Sequence, residues 1–188
     1  WVEPEAAPFL WDCLFESGQE YGLLPAGIYA LDIARVEAGL LMLQVDYISA
    51  RHALIESQKS SPFELGLGWA VDLKKAAFIG RAALLEESLR GPAWNFCGIE
   101  VNWDALVDAF GKFGLPPQVT GRASRQAAPI YQHNRQVGYA TSHTFSPILK
   151  KYIGLATMEK SGYQPETEIE FELTIEYVHQ RIPAKVVP

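Results

Sequence analysis

The segment EIEFELTIE, residues 168–176, alternates strictly between polar and apolar side chains. Successive side chains of an extended strand point to opposite sides, so one face of this segment carries Ile169, Phe171, Leu173 and Ile175. The other face carries four glutamates and Thr174. The pattern predicts a strand with one face on a core and an acidic face in water.

Shorter strand patterns precede this segment. Phe96 to Val101 predicts another strand, and residues 130–132 and 137–141 flank His133-Asn134-Arg135 as the two arms of a hairpin would. Gly91-Pro92 is the clearest boundary signal in the chain. Residues 92–188 are therefore predicted to form a small β-barrel or sandwich.

Residues 1–91 show a mixed pattern. Helices are predicted at Phe9–Glu16, at about Pro25–Ala38 and from Arg81 to about Leu89, and a further helix follows the boundary, from an Asn102 cap to Phe110. Strands are predicted at Leu40–Val45 and Gly68–Asp72. The chain is thus expected to have two domains, an α/β domain at 1–91 and a β domain at 92–188.

Composition and charge limit the partners. The 188 residues include 16 Lys+Arg and 22 Asp+Glu, and the net charge is −6. No basic run provides a nucleic-acid-binding face, and no apolar run reaches the ~18 residues of a membrane span. We expect no nucleic-acid partner, no membrane partner and a cytoplasmic location. The chain starts at Trp1 without a visible signal peptide, and we expect it to be part of a longer protein.

Few residues indicate chemistry by themselves. Cys13 and Cys97 are predicted to be reduced and buried, and no metal site is expected. The four histidines have no ligand-like spacing, and solvent or loop positions are predicted for them: His52, His133, His143 and His179. Asp32 and Arg35 are spaced to form an ion pair on one helix face. Trp69 is predicted to be a core anchor, with a stacking face for a planar ligand as the alternative.

A longer series of motifs indicates a family. The segment GIYALDIARVEAG, residues 27–39, resembles the signature of the glycine cleavage T-protein (aminomethyltransferase) superfamily, a glycine followed by A-R-D and R-x-E-A-G. SPFELGLGW at 61–69 and FIGRAAL at 78–84 are similar to its P-x-E-x-G-L-x-W and F-x-G-x-x-A-L steps. Later matches follow in the family's order: Arg125, Val137-Gly138, Thr141-Ser142 and Ser146-Pro147.

This resemblance implies an α+β fold. The remaining part of a folate-binding domain, α/β with ferredoxin-like elements, would be followed by a small C-terminal β-barrel. It implies a tetrahydrofolate-dependent one-carbon transferase, in which an aminomethyl or methyl group passes to tetrahydrofolate. The implied cofactor is tetrahydrofolate. The implied partners are a small-molecule one-carbon donor and, for the T-protein itself, a lipoyl carrier protein.

The resemblance also implies a set of cofactor-site residues: Asp32, Arg35, Glu37, Trp69 and Arg125. Arg35 and Glu37 are expected to brace their helix under the folate channel, and Arg125 to face the folate tail or the domain interface. His143 and Phe145 are placed in a barrel loop that could face the channel. By the same resemblance, the family's catalytic aspartate and pterin-contacting glutamate are expected upstream of Trp1. We therefore assign no catalytic residue and do not expect this chain alone to catalyse.

Three departures from the family pattern keep alternatives open. The arginine of A-R-D is Leu31 here, and a leucine cannot donate a hydrogen bond or carry charge. The segments between Asp46 and Pro62 and from Asn102 to Gly121 are predicted insertions. The alternatives are a non-catalytic folate-binding or regulatory protein, and the folate module of a demethylase or of a dimethylglycine or sarcosine dehydrogenase-like enzyme. Apolar surface complementary to the upstream half is expected to favour non-native dimers.

Overall fold

The structure is a computed structural model that describes residues 1–188. Its second half contains six antiparallel strands that close into a barrel in the order β1-β4-β3-β2-β5-β6. The strands are β1 Trp94–Val101, β2 Ala128–Gln132, β3 Arg135–Ser146, β4 Lys151–Glu159, β5 Glu168–Ile175 and β6 Val178–Val187. Closure pairs every strand on both sides, so no edge is left to associate with another sheet. The expected C-terminal β-barrel is confirmed.

The barrel core follows the alternation of the sequence. Ile169, Phe171 and Ile175 of β5 are buried, whereas Leu173 is half-buried. The predicted hairpin forms, with a two-residue turn at His133-Asn134. Both turn residues have positive φ, 49° and 62°, as the tight turns that match strand twist require.

Four helices accompany the barrel: α1 Ala7–Gly18, α2 Ile28–Glu37, α3 Arg81–Arg90 and α4 Trp103–Gly111. All four were predicted. The Oδ1 atom of Asn102 accepts a hydrogen bond of 2.9 Å from the backbone N–H of Ala105, so Asn102 caps α4 as expected. Leu106 and Phe110 of α4 are buried in the barrel core, which shows that part of the predicted insertion at 102–121 contributes to the core.

The two strands predicted upstream are absent. Residues 40–42 belong to no strand, Leu43 makes only an isolated bridge to Tyr47, and residues 44–46 form a turn. The backbone N–H of Met42 donates to the Asp46 carboxylate, and the N–H of Asp46 donates back to the carbonyl of Met42, so these groups are satisfied locally. Gly68–Ala70 is a 3₁₀ turn. The strands of this α+β chain therefore all lie in the barrel.

Much apolar surface of the helical half is exposed. No residue of α1 is buried, and its Phe9, Leu10, Trp11 and Leu14 all face solvent. This agrees with the expected apolar surface, while dimerisation through it stays a prediction. The domain division at residue 91 also stays a prediction. No helix has the length and hydropathy needed to cross a bilayer.

Candidate functional site

A buried ionic network joins α2 to the barrel, and Arg35 is at its centre. The Nε of Arg35 donates to Oδ1 of Asp32 at 2.9 Å, and its Nη1 donates to Oδ2 of Asp46 at 2.7 Å. Its Nη2 donates to the Ser142 hydroxyl on β3 at 2.8 Å. The side chains of Arg35 and Asp46 are 8% and 0% exposed. The planar guanidinium can satisfy all three partners at once, which a lysine ammonium could not do with this geometry.

A β-bulge brings two hydroxyls onto Asp46. The register between β3 and β4 shifts between Ala140 and Ser142, so Thr141 has no partner residue opposite it. The hydroxyls of Thr141 and Ser142 both donate to Oδ1 of Asp46, at 2.6 and 2.7 Å. Adjacent side chains of a regular strand point to opposite faces, so the extra residue is what allows both to reach one carboxylate.

Two further contacts extend the network toward solvent. The Nε of Arg125 donates to Oδ2 of Asp32 at 3.1 Å, and the Arg125 side chain remains 48% exposed. The Ser146 hydroxyl donates to Oε1 of Glu37 at 2.5 Å. Asp32 therefore links a buried guanidinium to an accessible one, and Glu37 attaches the end of α2 to β3.

The accessible guanidinium lies in a cleft of about 440 Å³ between α2 and the segment that leads into β2. The cleft is lined by Tyr29, Asp32, Thr120, Arg122, Ala123, Ser124, Arg125 and Gln126. Two arginines and several residues with hydroxyl or amide groups line the cleft, and Arg125 pairs with the buried carboxylate of Asp32. This composition suits a ligand with an anionic end, because guanidinium groups pair well with carboxylates.

The structure brings together four of the five predicted cofactor-site residues: Asp32, Arg35, Glu37 and Arg125. The donors of Arg35 are directed to protein groups, which fits the expected bracing role. Trp69 is elsewhere than expected of a core anchor: it is 84% exposed, so that interpretation was wrong. It lies in a 3₁₀ turn, directly after Gly68, and not in a buried strand.

Sequence reasoning gave Asp46 no role, although its carboxylate accepts from Arg35, Met42, Thr141 and Ser142. The resemblance included Thr141-Ser142, whereas Asp46 was named only as the start of a predicted insertion. The available signal in the sequence was an aspartate followed, much later in the chain, by two adjacent residues with hydroxyl groups. This pattern indicates that both hydroxyls contact the carboxylate only when the bulge in β3 is known.

His143 also departs from its prediction. The solvent or loop position is wrong, because His143 lies on β3 and is only 5% exposed. Its Nδ1 is 2.7 Å from the Tyr152 hydroxyl, and its ring meets the Phe171 ring edge-on. Burial lowers the pKa of His143 to about 4, against a smaller upward effect of the Gln126 backbone. Burial raises the pKa of Tyr152 to about 12, so both groups are neutral near pH 7.

The thiols divide into two environments. Cys97 is buried on β1, and burial raises its pKa to about 12. Cys13 on α1 is only half-buried, so the prediction of burial was wrong for it. The uncovered face of α1 is the reason, since a helix buries a side chain only where another element packs on it. No group of three or more His, Cys, Asp or Glu side chains is placed to hold a metal ion.

Comparison with known proteins relates this geometry to a family. Residues 1–75 match the GCVT N-terminal domain, and residues 113–188 match the glycine cleavage T-protein C-terminal barrel domain. An aminomethyltransferase of Geobacillus sp. is 33% identical over 97% of this chain and 42% of its own length. The aminomethyltransferase of Symbiobacterium thermophilum is 37% identical over 90% of this chain and 39% of its own. The chain thus spans about two fifths of these relatives.

One further relative and one solved structure are also similar to this chain. The trimethylamine-oxide aldolase of Ruegeria pomeroyi is 31% identical over 98% of this chain, but over only 20% of its own length. The crystal structure of aminomethyltransferase T from Bartonella henselae superposes with a TM-score of 0.71 at 22% identity, covering 98% of this chain and 43% of that one. That likeness concerns the fold. With both domain models matched in order and the barrel closed as expected, the chain belongs to the glycine cleavage T-protein superfamily.

Proposed function

We propose that this chain supplies the barrel side of a tetrahydrofolate site in a one-carbon transferase similar to the glycine cleavage T-protein. The observation that carries the proposal is the cleft where Arg125, paired with Asp32, keeps nearly half of its side chain accessible. The relatives named aminomethyltransferase support the reaction class. Because the chain spans only part of them, activity belongs to the complete protein.

The residues present suit one end of a folate. The glutamyl tail of folate carries carboxylates, and the Arg125 guanidinium offers donors in a cleft that Arg122 also lines and that is large enough for that tail. Asp32 holds Arg125 in place through its Oδ2, so less side-chain entropy is lost when a ligand binds. The ring end of folate requires other groups, which the resemblance places upstream of Trp1.

The ionic network has a supporting part in this proposal. Arg35 fixes Asp32 from the buried side and Asp46 fixes Arg35 against β3. This chain therefore positions the accessible arginine relative to the barrel. When bound, tetrahydrofolate supplies the nitrogen that accepts the one-carbon unit. A donor carbon can react with it only if the folate is held in one orientation, which is the contribution expected of this cleft.

A comparison of two ligands tests the role of Arg125 in the complete protein. Tetrahydrofolate and tetrahydropteroate differ in the glutamyl tail. Arg125→Ala should weaken tetrahydrofolate binding roughly tenfold to a hundredfold, as loss of a charge-assisted hydrogen bond does, and leave tetrahydropteroate binding unchanged. Arg135→Ala is the matched control, because Arg135 pairs with Glu159 on the barrel surface. Equal affinity of wild type and Arg125→Ala for tetrahydrofolate would contradict the proposal.

A second candidate function is the folate module of a larger demethylating enzyme. It is favoured by the match to trimethylamine-oxide aldolase, of which this chain corresponds to one fifth. Leu31 stands where the family has an arginine, and it is 60% exposed. The absence of the arginine's charge therefore alters the surface of this chain and not its core. Production of methylenetetrahydrofolate from an aminomethylated lipoyl carrier supports the first candidate. Production of methylenetetrahydrofolate from trimethylamine N-oxide, and not from that carrier, supports the second. A cytoplasmic location remains our expectation for both.

A further inference from the structure

The segment that carries Arg125 is joined to a single barrel residue on both sides of the arginine. The backbone N–H of Ser124 donates to the carbonyl of His143 at 2.8 Å, and the N–H of His143 donates back to the carbonyl of Ser124 at 3.1 Å. The two residues thereby form an isolated antiparallel bridge. On the other side of Arg125, the backbone of Gln126 hydrogen-bonds to the His143 ring. His143 therefore contacts both chain neighbours of Arg125.

The His143 ring has a defined donor and a defined acceptor. It is neutral near pH 7, so one ring nitrogen carries a proton and the other accepts a hydrogen bond. Nδ1 lies 2.7 Å from the Tyr152 hydroxyl and accepts from it. The contact with Gln126 raises the pKa of the ring, as a bond to a carbonyl acceptor does, so it uses the proton on Nε2. Tyr152 thus sets which nitrogen is protonated, and the ring in turn holds Gln126.

Packing keeps the ring in this orientation. His143 and Tyr152 are both buried, and the His143 ring meets the Phe171 ring edge-on with 5.1 Å between centroids. A rotated imidazole would deprive a buried hydroxyl of its partner, which costs free energy. The start of the segment is also fixed, because Ala123 is buried in one apolar cluster with Val36 of α2.

We propose that His143 is a positioning residue: its backbone and ring hold the segment 124–126 so that the Arg125 guanidinium presents its donors to a ligand in one place. Asp32 fixes the end of the arginine side chain, whereas His143 fixes the backbone from which that side chain extends. His143 acts through Arg125 and touches no ligand itself. The inference rests on the proposed folate site for the identity of the ligand, but not for the contacts that hold the segment.

Two variants separate the ring hydrogen bond of His143 from its bulk. His143→Gln keeps a side-chain nitrogen at the reach of Nε2, whereas the amide of His143→Asn ends near the position of Nδ1 and is too short to reach Gln126. We expect His143→Asn to weaken tetrahydrofolate binding to the complete protein roughly three- to tenfold, the usual effect of one hydrogen bond. His143→Gln should retain most of the affinity. Tetrahydropteroate, which lacks the glutamyl tail, should bind alike to all three proteins.

Coupling to Arg125 distinguishes positioning from a general loss of stability. In an Arg125→Ala background, His143→Asn should weaken tetrahydrofolate binding no further. Equal weakening of the two ligands, or the same loss with and without Arg125, would overturn the proposal. An Arg125→Ala variant that binds tetrahydrofolate as tightly as wild type would instead contradict the proposed folate site, and the positioning is then decided without ligand.

The NMR signal of the Arg125 Nε–H provides that ligand-free measurement, because this group donates to Asp32 and its exchange with solvent reports how well the pair is held. We expect His143→Asn to accelerate the exchange about threefold or more, and His143→Gln to leave it near the wild-type rate. The signals of Arg135, on the barrel surface, are the control.

Tyr152→Phe removes only the hydroxyl that orients the ring. It should change the Arg125 exchange in the same direction, which provides a second variant if His143→Asn does not fold. Unchanged exchange in the folded variants would overturn the proposal, whatever the outcome with tetrahydrofolate.

Discussion

Arg35 and Asp46 form a buried ion pair, with 2.7 Å between Nη1 and Oδ2, across the junction of α2 and the barrel. The pair is the point where the family signature at 27–39 and the Thr141-Ser142 motif meet. The two motifs lie more than 100 residues apart in the chain, and the Arg35 to Ser142 hydrogen bond joins them directly. Their shared function is thus to fix α2, and with it Asp32 and Arg125, on the barrel.

The first prediction concerns this ion pair. Asp46→Asn removes the charge but keeps the shape, and it leaves the buried Arg35 guanidinium with only one carboxylate partner, Asp32, which also pairs with Arg125. We expect the free energy of unfolding to fall by about 3–5 kcal/mol, the usual cost of breaking a buried pair from one side. Urea unfolding measures it. Glu159→Gln, which breaks the exposed pair with Arg135, should leave the midpoint nearly unchanged. Similar midpoints for both variants would show that the network does not stabilise the fold.

The second prediction concerns pH and His143. The unfolded chain protonates this ring below its ordinary pKa of 6.5, whereas the folded chain resists protonation down to about pH 4. The unfolded state therefore binds more protons in that window, and stability falls as the pH decreases from 6.5 to 4. The loss from this residue is up to about 3 kcal/mol.

His143→Gln should remove that part of the pH dependence, and His179→Gln should not, because His179 is exposed. Unfolding free energies of the three chains between pH 7 and pH 4 check this. Carboxylates contribute alike in all three, so the difference between chains isolates His143. Parallel curves for wild type and His143→Gln would be inconsistent with a buried, neutral imidazole.

The third prediction concerns close packing of two barrel strands. A Cβ on Gly138 would collide with the carbonyl oxygen of Thr157 and approach Cα of Met158 to 3.0 Å. Gly138→Ala should therefore lower stability by about 1–3 kcal/mol, as overpacking does. Gly111, at the end of α4, has open space around it, and Gly111→Ala should be neutral or slightly stabilising. Thermal unfolding of both variants decides, and equal melting temperatures would refute the close approach.

The fourth prediction concerns the thiols. Cys97 is buried with its pKa raised to about 12, whereas Cys13 is partly accessible. One thiol of the folded protein should react readily with a disulfide reagent at pH 8, and the second only after denaturation. Cys13→Ser should abolish the early reaction and Cys97→Ser should leave it. A fast reaction in the Cys13→Ser variant would mean that the barrel opens at β1.

Local sequence patterns were sufficient to predict the barrel and the helices. The alternation of residues 168–176 and the Asn102 cap depend on neighbouring residues alone, and both were predicted. The strand expected at Leu40–Val45 is absent because Met42 and Asp46 hydrogen-bond to each other in a local turn, which the apolar run did not indicate. The position predicted for His143 was wrong because of the bulge in β3. Ala140 faces the barrel core, so simple alternation would point the Ser142 side chain into the barrel and the His143 side chain away from it. The extra residue in the bulge reverses both directions.

The site was predictable only in part, for the same reason. The family signature indicated Asp32, Arg35, Glu37 and Arg125, which the fold assembles. It could not show that Arg35 is enclosed while Arg125 remains accessible, because burial depends on how α2 docks against β3. Trp69 shows the opposite error. An aromatic residue in an apolar run suggests a core, but no element of this chain packs over it.

The central claim is that the complete protein carrying this chain binds tetrahydrofolate, and calorimetric titration tests it most directly. The account predicts saturable binding with a micromolar Kd, weakened in Arg125→Ala. No heat of binding from a folded protein, with folding checked by circular dichroism, would contradict the account. In that case the superfamily fold would be present without its ligand.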